Sequence, residues 1–259
     1  MSKNLWFTDF NVRGRSPYLL ICFPFSGAGA NIFRTWANEL DNANLLAVQL
    51  PGRERRIMEN PIDDLDSLVN ELADALEPRL DRPYLLFGHS MGALIAYRLA
   101  LAMEAKPMKA ARHLIVSAYR SPEVPNRNRS LHNLSDPEFI DELKKYGGTP
   151  EEILQHEESM DLLLPMLRAD FRMHETYRHG DEPPLDCPIS AFAGESDSLV
   201  PMADMALWSS KTVGGFDLKR FKGGHFFLQE SRSELLAAIQ DRINQHLLED
   251  ILSRQGVKP

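Results

Sequence analysis

Cysteine is scarce in this chain. Only Cys22 and Cys187 occur in 259 residues, too few and too far apart for a disulfide framework or a metal-binding spacing. Cys22 lies inside the apolar run YLLICF, where a small buried hydrophobe is expected, and a reducing, cytoplasmic setting follows as the default. A basic surplus is lacking as well: the formal net charge is -8, whereas a nucleic-acid binder carries a positive balance. No apolar run approaches the ~18 residues that span a bilayer. The opening MSKNLWFTDFNVRGRSP has no apolar core of signal-peptide length, so neither membrane insertion nor export is expected. What remains, 43% hydrophobic and 25% charged residues, is the composition of a globular domain.

Short apolar runs alternate with longer amphipathic stretches. The segments 18–23, 44–50, 84–88, 113–118 and 187–194 read as buried strands bounded by Gly, Pro or charge, and FDLKRF at 216–221 as an alternating edge strand. Between them ANIFRTWANEL, DDLDSLVNELADALEPRL, MGALIAYRLALAMEA and MADMALWSSKT carry helical spacing. The alternation predicts a mostly parallel sheet with helices on both faces. SELLAAIQDRINQHLLEDIL is read as a closing helix and SRQGVKP as a frayed tail.

One region breaks this rhythm. From Arg120 to Pro188 no strand pattern occurs. Ser135 with Glu138, and Thr149 with Glu152, each offer a capping box. A third helical pattern, SMDLLLPMLRADFRMHETY, contains Pro165, which should start, kink or break it. The reading is a single domain over 1–259 with a helical insertion at about 121–186.

Gly88-His89-Ser90-Met91-Gly92 fits G-x-S-x-G, the nucleophile elbow, and falls between a strand pattern and a helix pattern. The serine sits on the sharp turn, and the glycines let strand and helix pass closer than a Cβ allows. Such a serine needs a base that a third group orients, in the chain order Ser, acid, His. Of eight histidines, His225 in FKGGHFFLQE follows the last strand, on a loop freed by two glycines. His89 should turn away from Ser90 into packing around the elbow. For the acid, Glu195 and Asp197 both follow Gly194; Asp197 is preferred, with Glu195 nearer solvent and Asp204 at a helix start. One oxyanion amide should come from Met91, the residue after the nucleophile, and the other from CFPFSGAG, at Phe25 or its near alternative Ser26.

Taken together, CFPFSGAGA, QLPGRERR, FGHSMGALIAYRLA, YGGTPEEIL, LLPMLRADFRMHETY, FAGESDSLV and FKGGHFFL resemble, in order and over nearly the whole chain, the type II thioesterases. These are stand-alone α/β-hydrolases that accompany polyketide and nonribosomal peptide synthetases. The family pattern falls on the same Ser90, Asp197 and His225. SGAG stands where the family commonly has paired glycines.

The resemblance implies hydrolysis of acyl thioesters on the phosphopantetheine arm of acyl- or peptidyl-carrier proteins, clearing stalled groups or releasing product. No metal or bound cofactor is implied, since the pantetheine belongs to the substrate. The insertion becomes a lid over an acyl chamber, with Leu163, Met166, Leu167, Met173 and Tyr177 as candidate lining. Arg55 and Arg56 of PGRERR read as a charged turn, and Arg53 stays open. A net acidic chain cannot steer an acidic carrier by overall charge. Arg127, Arg129, Lys144 and Lys145 are the local basic candidates, each more readily read as a solvated charge. The rivals are a carboxylesterase or lipase on the same fold and a catalytically silent binding protein.

Overall fold

The computed structural model describes residues 5–11, 14–106 and 110–256. Seven strands form one sheet in the order β1-β3-β2-β4-β5-β6-β7: β1 (Phe7–Asp9), β2 (Tyr18–Phe23), β3 (Ala43–Val48), β4 (Tyr84–His89), β5 (His113–Ser117), β6 (Ile189–Gly194) and β7 (Phe216–Phe221). Every pairing from β3 to β7 is parallel, and β1 alone runs antiparallel at the edge. The central strands are buried along their whole length. Uninterrupted apolar runs are what a sheet covered on both faces requires.

The helices are α1 (Leu65–Leu76), α2 (Met91–Glu104), α3 (Asp136–Tyr146), α4 (Glu151–Leu154), α5 (Glu157–Thr176), α6 (Met202–Ala206), α7 (Phe227–Glu230) and α8 (Arg232–Arg254). Leu68, Leu72 and Leu76 of α1 and nearly all of α2 fill one face of the sheet. Leu235, Leu236, Ile239 and Ile243 of α8 fill the other, beside Phe33 and Trp36. The helices α3 to α5 lie in the connection from β5 to β6 and have an apolar cluster of their own, built on Phe139, Leu143, Met160, Leu167 and Phe171.

Several expectations are corrected. β1 carries no strand signal, because three residues with one buried side chain show no period. ANIFRTWANEL forms two 3-10 turns, Ala30–Phe33 and Trp36–Asn38, and MADMALWSSKT a short α6 followed by another such turn. Ser135 and Glu138 close the expected capping box. Thr149 does not cap: Pro150 occupies that place without a side-chain bond. Helix α5 runs through Pro165 unbroken, while Ser253 and Arg254 of the supposed tail continue α8; 257–259 lie outside the described residues. Asp204 sits in the first turn of α6. Cys22 and Cys187 are free and buried, and burial pushes both thiols far up. Among the described residues no helix is long and apolar enough to cross a membrane.

At the end of the sheet where β5 begins, a polar chain is buried against α8. His113 Nδ1 lies 3.0 Å from His246 Nε2 and His113 Nε2 lies 2.8 Å from Ser190 Oγ. Ser190 also bonds Asp217 and Arg242, and His246 bonds Glu249. Burial, then the neighbouring His246 and Arg242, lower His113 to about 3. The unfolded chain therefore takes up this proton first as pH falls below about 6.5, so His113's contribution to stability is complete above that pH and declines toward pH 3. Urea unfolding across this range should show that slope, and His113→Asn should flatten it by about one proton, or ~1.4 kcal/mol per pH unit. Parallel curves for the two proteins would mean His113 accepts its proton in the folded state.

Candidate active site

Ser90 is the residue between β4 and α2, with φ 52° and ψ -124°. A non-glycine residue in this region is strained, and its surroundings hold it there. A Cβ on Gly88 would collide with the backbone of Gly92 and Ala93, and one on Gly92 with the carbonyls of Phe23 and Pro24. The Ser90 amide donates to Ser117 O at 2.8 Å, and Ser90 O accepts from Ala93 at 2.8 Å. Strand, turn and helix are thus locked with the hydroxyl standing above the strand ends.

His225 comes to that hydroxyl from the β7–α7 loop. Its Nε2 is 3.0 Å from Ser90 Oγ, and its Nδ1 is 2.9 Å from Asp197 Oδ2. The other oxygen of Asp197 accepts the amides of Leu199 and Val200 at 2.8 and 3.1 Å. A carboxylate only accepts, so Nδ1 carries the proton and Nε2 presents a lone pair to the serine O–H. The Asp197 side chain is 1% exposed, whereas Glu195 on the same turn is exposed. The acid and base loops are also tied through backbone, Ser196 N to Gly223 O at 3.0 Å and Glu195 N to Phe221 O at 2.9 Å. A Cβ at Gly194 would strike the carbonyls of Gly223 and Gly224, so that contact needs glycine.

Met91 is the first residue of α2, and a first-turn amide has no acceptor four residues back in its own helix. In the loop after β2 the Gly27 amide is taken by Asp170 Oδ2 at 2.8 Å and that of Ala28 by Phe25 O at 3.0 Å. Phe25 and Ser26 of the same loop line the cavity beside Ser90. His89 does turn away: its Nδ1 lies 2.9 Å from Ser117 Oγ and its ring packs beside Phe25 and Phe227. Burial, then the nearby His225, push His89 well below its usual range.

A model of the thioesterase domain matches residues 19–243. The chain belongs to the thioesterase family. It is 38% identical over 234 residues to the gramicidin S biosynthesis protein GrsT of Aneurinibacillus migulanus, covering 90% of this chain and 91% of that one. It is 34% identical over 245 residues to thioesterase PikA5 of Streptomyces venezuelae, covering 94% and 87%. Among solved structures it is similar to the type II thioesterase BorB from the borrelidin biosynthetic cluster. That match has a TM-score of 0.85 and 38% identity, over 92% of this chain and 98% of that one. The fold is that of an α/β-hydrolase.

In this thioesterase Ser90 and His225 open into a cavity of about 50 Å³, lined among others by Phe25, Leu143, Tyr146, Leu167, Phe171 and Phe226. That volume holds a few water molecules, not a long chain. Of the five candidate lining residues only Leu167 reaches it. Met166 and Leu163 pack inside the insertion's own cluster, Met173 belongs to the sheet's core, and Tyr177 packs against that core beside Arg98. Helical spacing marks which residues of α5 are apolar but not which of its two apolar contacts each one makes. Sequence reasoning missed Leu143 and Tyr146 of α3, Phe226 next to the base, and His174, whose ring touches Phe171 and lines the cavity. Phe226 was legible: it directly follows His225 in the quoted loop.

The basic candidates are all paired locally: Arg127 with Asp204, Arg129 with Glu138 and Glu142, Lys144 with Asp141, and Lys145 with Glu142. Arg55 donates to the carbonyls of Leu5 and Phe7. Arg56 is buried, bonded to Gln49 O and Glu59 and stacked 4.2 Å from the Trp6 ring, so it is more than a solvated turn charge. Arg53 is buried against Asp170 of α5.

Asp197→Asn should lower kcat by about 10⁴-fold by disturbing the imidazole's tautomer, while Glu195→Gln should stay within a few-fold of the parent. Steady-state hydrolysis by the two purified variants decides between them, and a reversed order would move the acid to Glu195.

Proposed function

We propose that this thioesterase hydrolyses acyl thioesters on the phosphopantetheine arm of acyl- or peptidyl-carrier proteins, by way of an acyl-enzyme on Ser90. The observation that carries the reading is the relay from Ser90 to His225 to Asp197, with links of 3.0 and 2.9 Å, at the floor of an apolar cavity. Its kinship with GrsT, PikA5 and BorB supports synthetase-bound substrates.

His225 takes the proton of Ser90 as its oxygen attacks the thioester carbonyl, and Asp197 holds the imidazole that becomes charged. The amides of Met91 and of Phe25 or Ser26 stabilise the tetrahedral oxyanion. Collapse expels the pantetheine sulfur, which leaves as the thiol with the proton from His225. Water, deprotonated by the same imidazole, then releases the acid and restores Ser90.

The domain works as one unit over 1–259, with the insertion at 121–186 as a lid that parts to admit the arm and any chain longer than a few carbons. The two buried thiols suit a reducing compartment, and we place the protein in the cytoplasm with its carriers. Docking is transient and rests on the arm and apolar contacts, because the local cations are already paired with acids.

Acyl-carrier, acyl-CoA and p-nitrophenyl ester substrates offered side by side should rank with the carrier thioester first. Ser90→Ala should abolish fluorophosphonate labelling and reduce turnover to the residual ~10³-fold over water that binding and oxyanion stabilisation alone can leave. A clear preference for the oxygen ester would replace the reading with a carboxylesterase.

Exchanging Lys144 and Lys145 together for Glu should change kcat/KM on the carrier only a few-fold and on acyl-CoA hardly at all. A hundredfold loss confined to the carrier, with a steep salt dependence, would instead establish an electrostatic dock.

A further inference from the structure

Arg53 and Asp170 form an ion pair shut off from water. Asp170 is 0% and Arg53 4% exposed, and the guanidinium fork meets both carboxylate oxygens, Nη2 to Oδ1 at 2.6 Å and Nη1 to Oδ2 at 2.7 Å. Stability alone is a weak reason for such a pair. Two desolvated charges roughly cancel their own attraction, and apolar residues of equal volume often serve as well. What distinguishes this pair is the remainder of its hydrogen bonds. Asp170 Oδ2 accepts the Gly27 amide at 2.8 Å, and Arg53 Nη1 donates to Ala28 O at 3.1 Å. Both bonds end on the loop that carries Phe25 and Ser26, directly after the residues that Gly92 presses upon. Gly27 itself has φ +82°, and a Cβ there would meet Leu167, one turn from Asp170 on α5.

Resting on the functional reading above, we propose that Arg53 and Asp170 are positioning residues for the second oxyanion donor. The pair grips the loop at Gly27 and Ala28 and so holds the amides of Phe25 and Ser26 toward the carbonyl attacked by Ser90. It touches neither substrate nor triad. Its contribution is made in the transition state, where a donor displaced by a fraction of an ångström loses much of its bond to the oxyanion. Because Asp170 belongs to α5, the same pair also keeps that helix seated on the loop. On the α3–α4 side the cavity is bordered by Leu143, Tyr146, Gly148 and Thr149.

The test replaces both charges at once, Arg53→Met with Asp170→Leu, which avoids leaving one buried charge alone. Thermal unfolding and circular dichroism establish that the full-length variant is folded. Removing an oxyanion donor outright costs ~10²–10³ in kcat, so loosening one should lower kcat about 10- to 100-fold. KM for the acyl-carrier thioester should stay within about threefold, and the pH midpoint of kcat/KM should not move. Affinity for a trifluoromethyl ketone analogue of the substrate, which reports oxyanion binding, should fall by the same factor as kcat. Arg53→Lys keeps the charge but cannot span both Asp170 oxygens and Ala28 O; it should show the same pattern more weakly, and it carries the test if the double variant does not fold. A folded variant with kcat within threefold of the parent, or a loss that appears in KM alone, overturns the inference. A parent enzyme that hydrolyses no acyl thioester overturns the functional reading instead, so the two failures are distinct.

Discussion

The whole site hangs on how closely α2 approaches the sheet. Gly92, the second residue of that helix, lies against the carbonyls of Phe23 and Pro24, and Gly88 near the end of β4 lies against Gly92. Backbone meets backbone at both points, and no side chain can be inserted without driving helix and strand apart. The strained φ of Ser90 follows from this approach, because the chain has one residue in which to turn from strand to helix. The same contact sets the start of the Phe25 loop beside the first amide of α2. The turn at Ser90 and the Phe25 loop therefore share a single origin.

The acid and the base reach this point through a parallel arrangement at the neighbouring strands. β6 and β7 run side by side from Ile189 with Phe216 to Gly194 with Phe221, and the loops beyond them remain bonded to each other. Asp197 and His225 are thus spaced by sheet register and by the close pass of Gly194 against Gly223 and Gly224. Aromatic rings pack behind them: Phe226 meets the His225 imidazole edge-on, and Phe25 makes edge contacts with Phe226 and His89.

The strands were legible because a doubly covered sheet writes itself as plain apolar runs, and the elbow because glycine spacing is dictated by backbone contact. Ser90, His225 and Asp197 follow from chain order and from which loops leave strand ends. The lining of the cavity was not legible in the same way. Leu167 and Met173 are apolar residues of one helix, yet the first faces the cavity and the second the sheet's core. That difference depends on how α5 is rotated, which tertiary contacts such as Arg53 with Asp170 decide. Those two residues stand far apart in the chain, and neither carries a local signal of its partner. β1 and the 3-10 turns after β2 are too short for periodicity to register.

The insertion's hydrophobic cluster draws on α3, α4 and α5 but shares no side chain with the two cores that flank the sheet. Helix α5 is bound to the body elsewhere, through Met173 and Asp170, whereas no side chain of α3 or α4 enters either sheet core. A structure divided in this way lets chamber size vary independently of reactivity. A substitution at Leu143, which belongs to that cluster and lines the cavity, can enlarge or shrink the space over Ser90 while the elbow and its partners keep their geometry. Descendants of one such chain can therefore diverge in the acyl group they admit without passing through a form that has lost the chemistry.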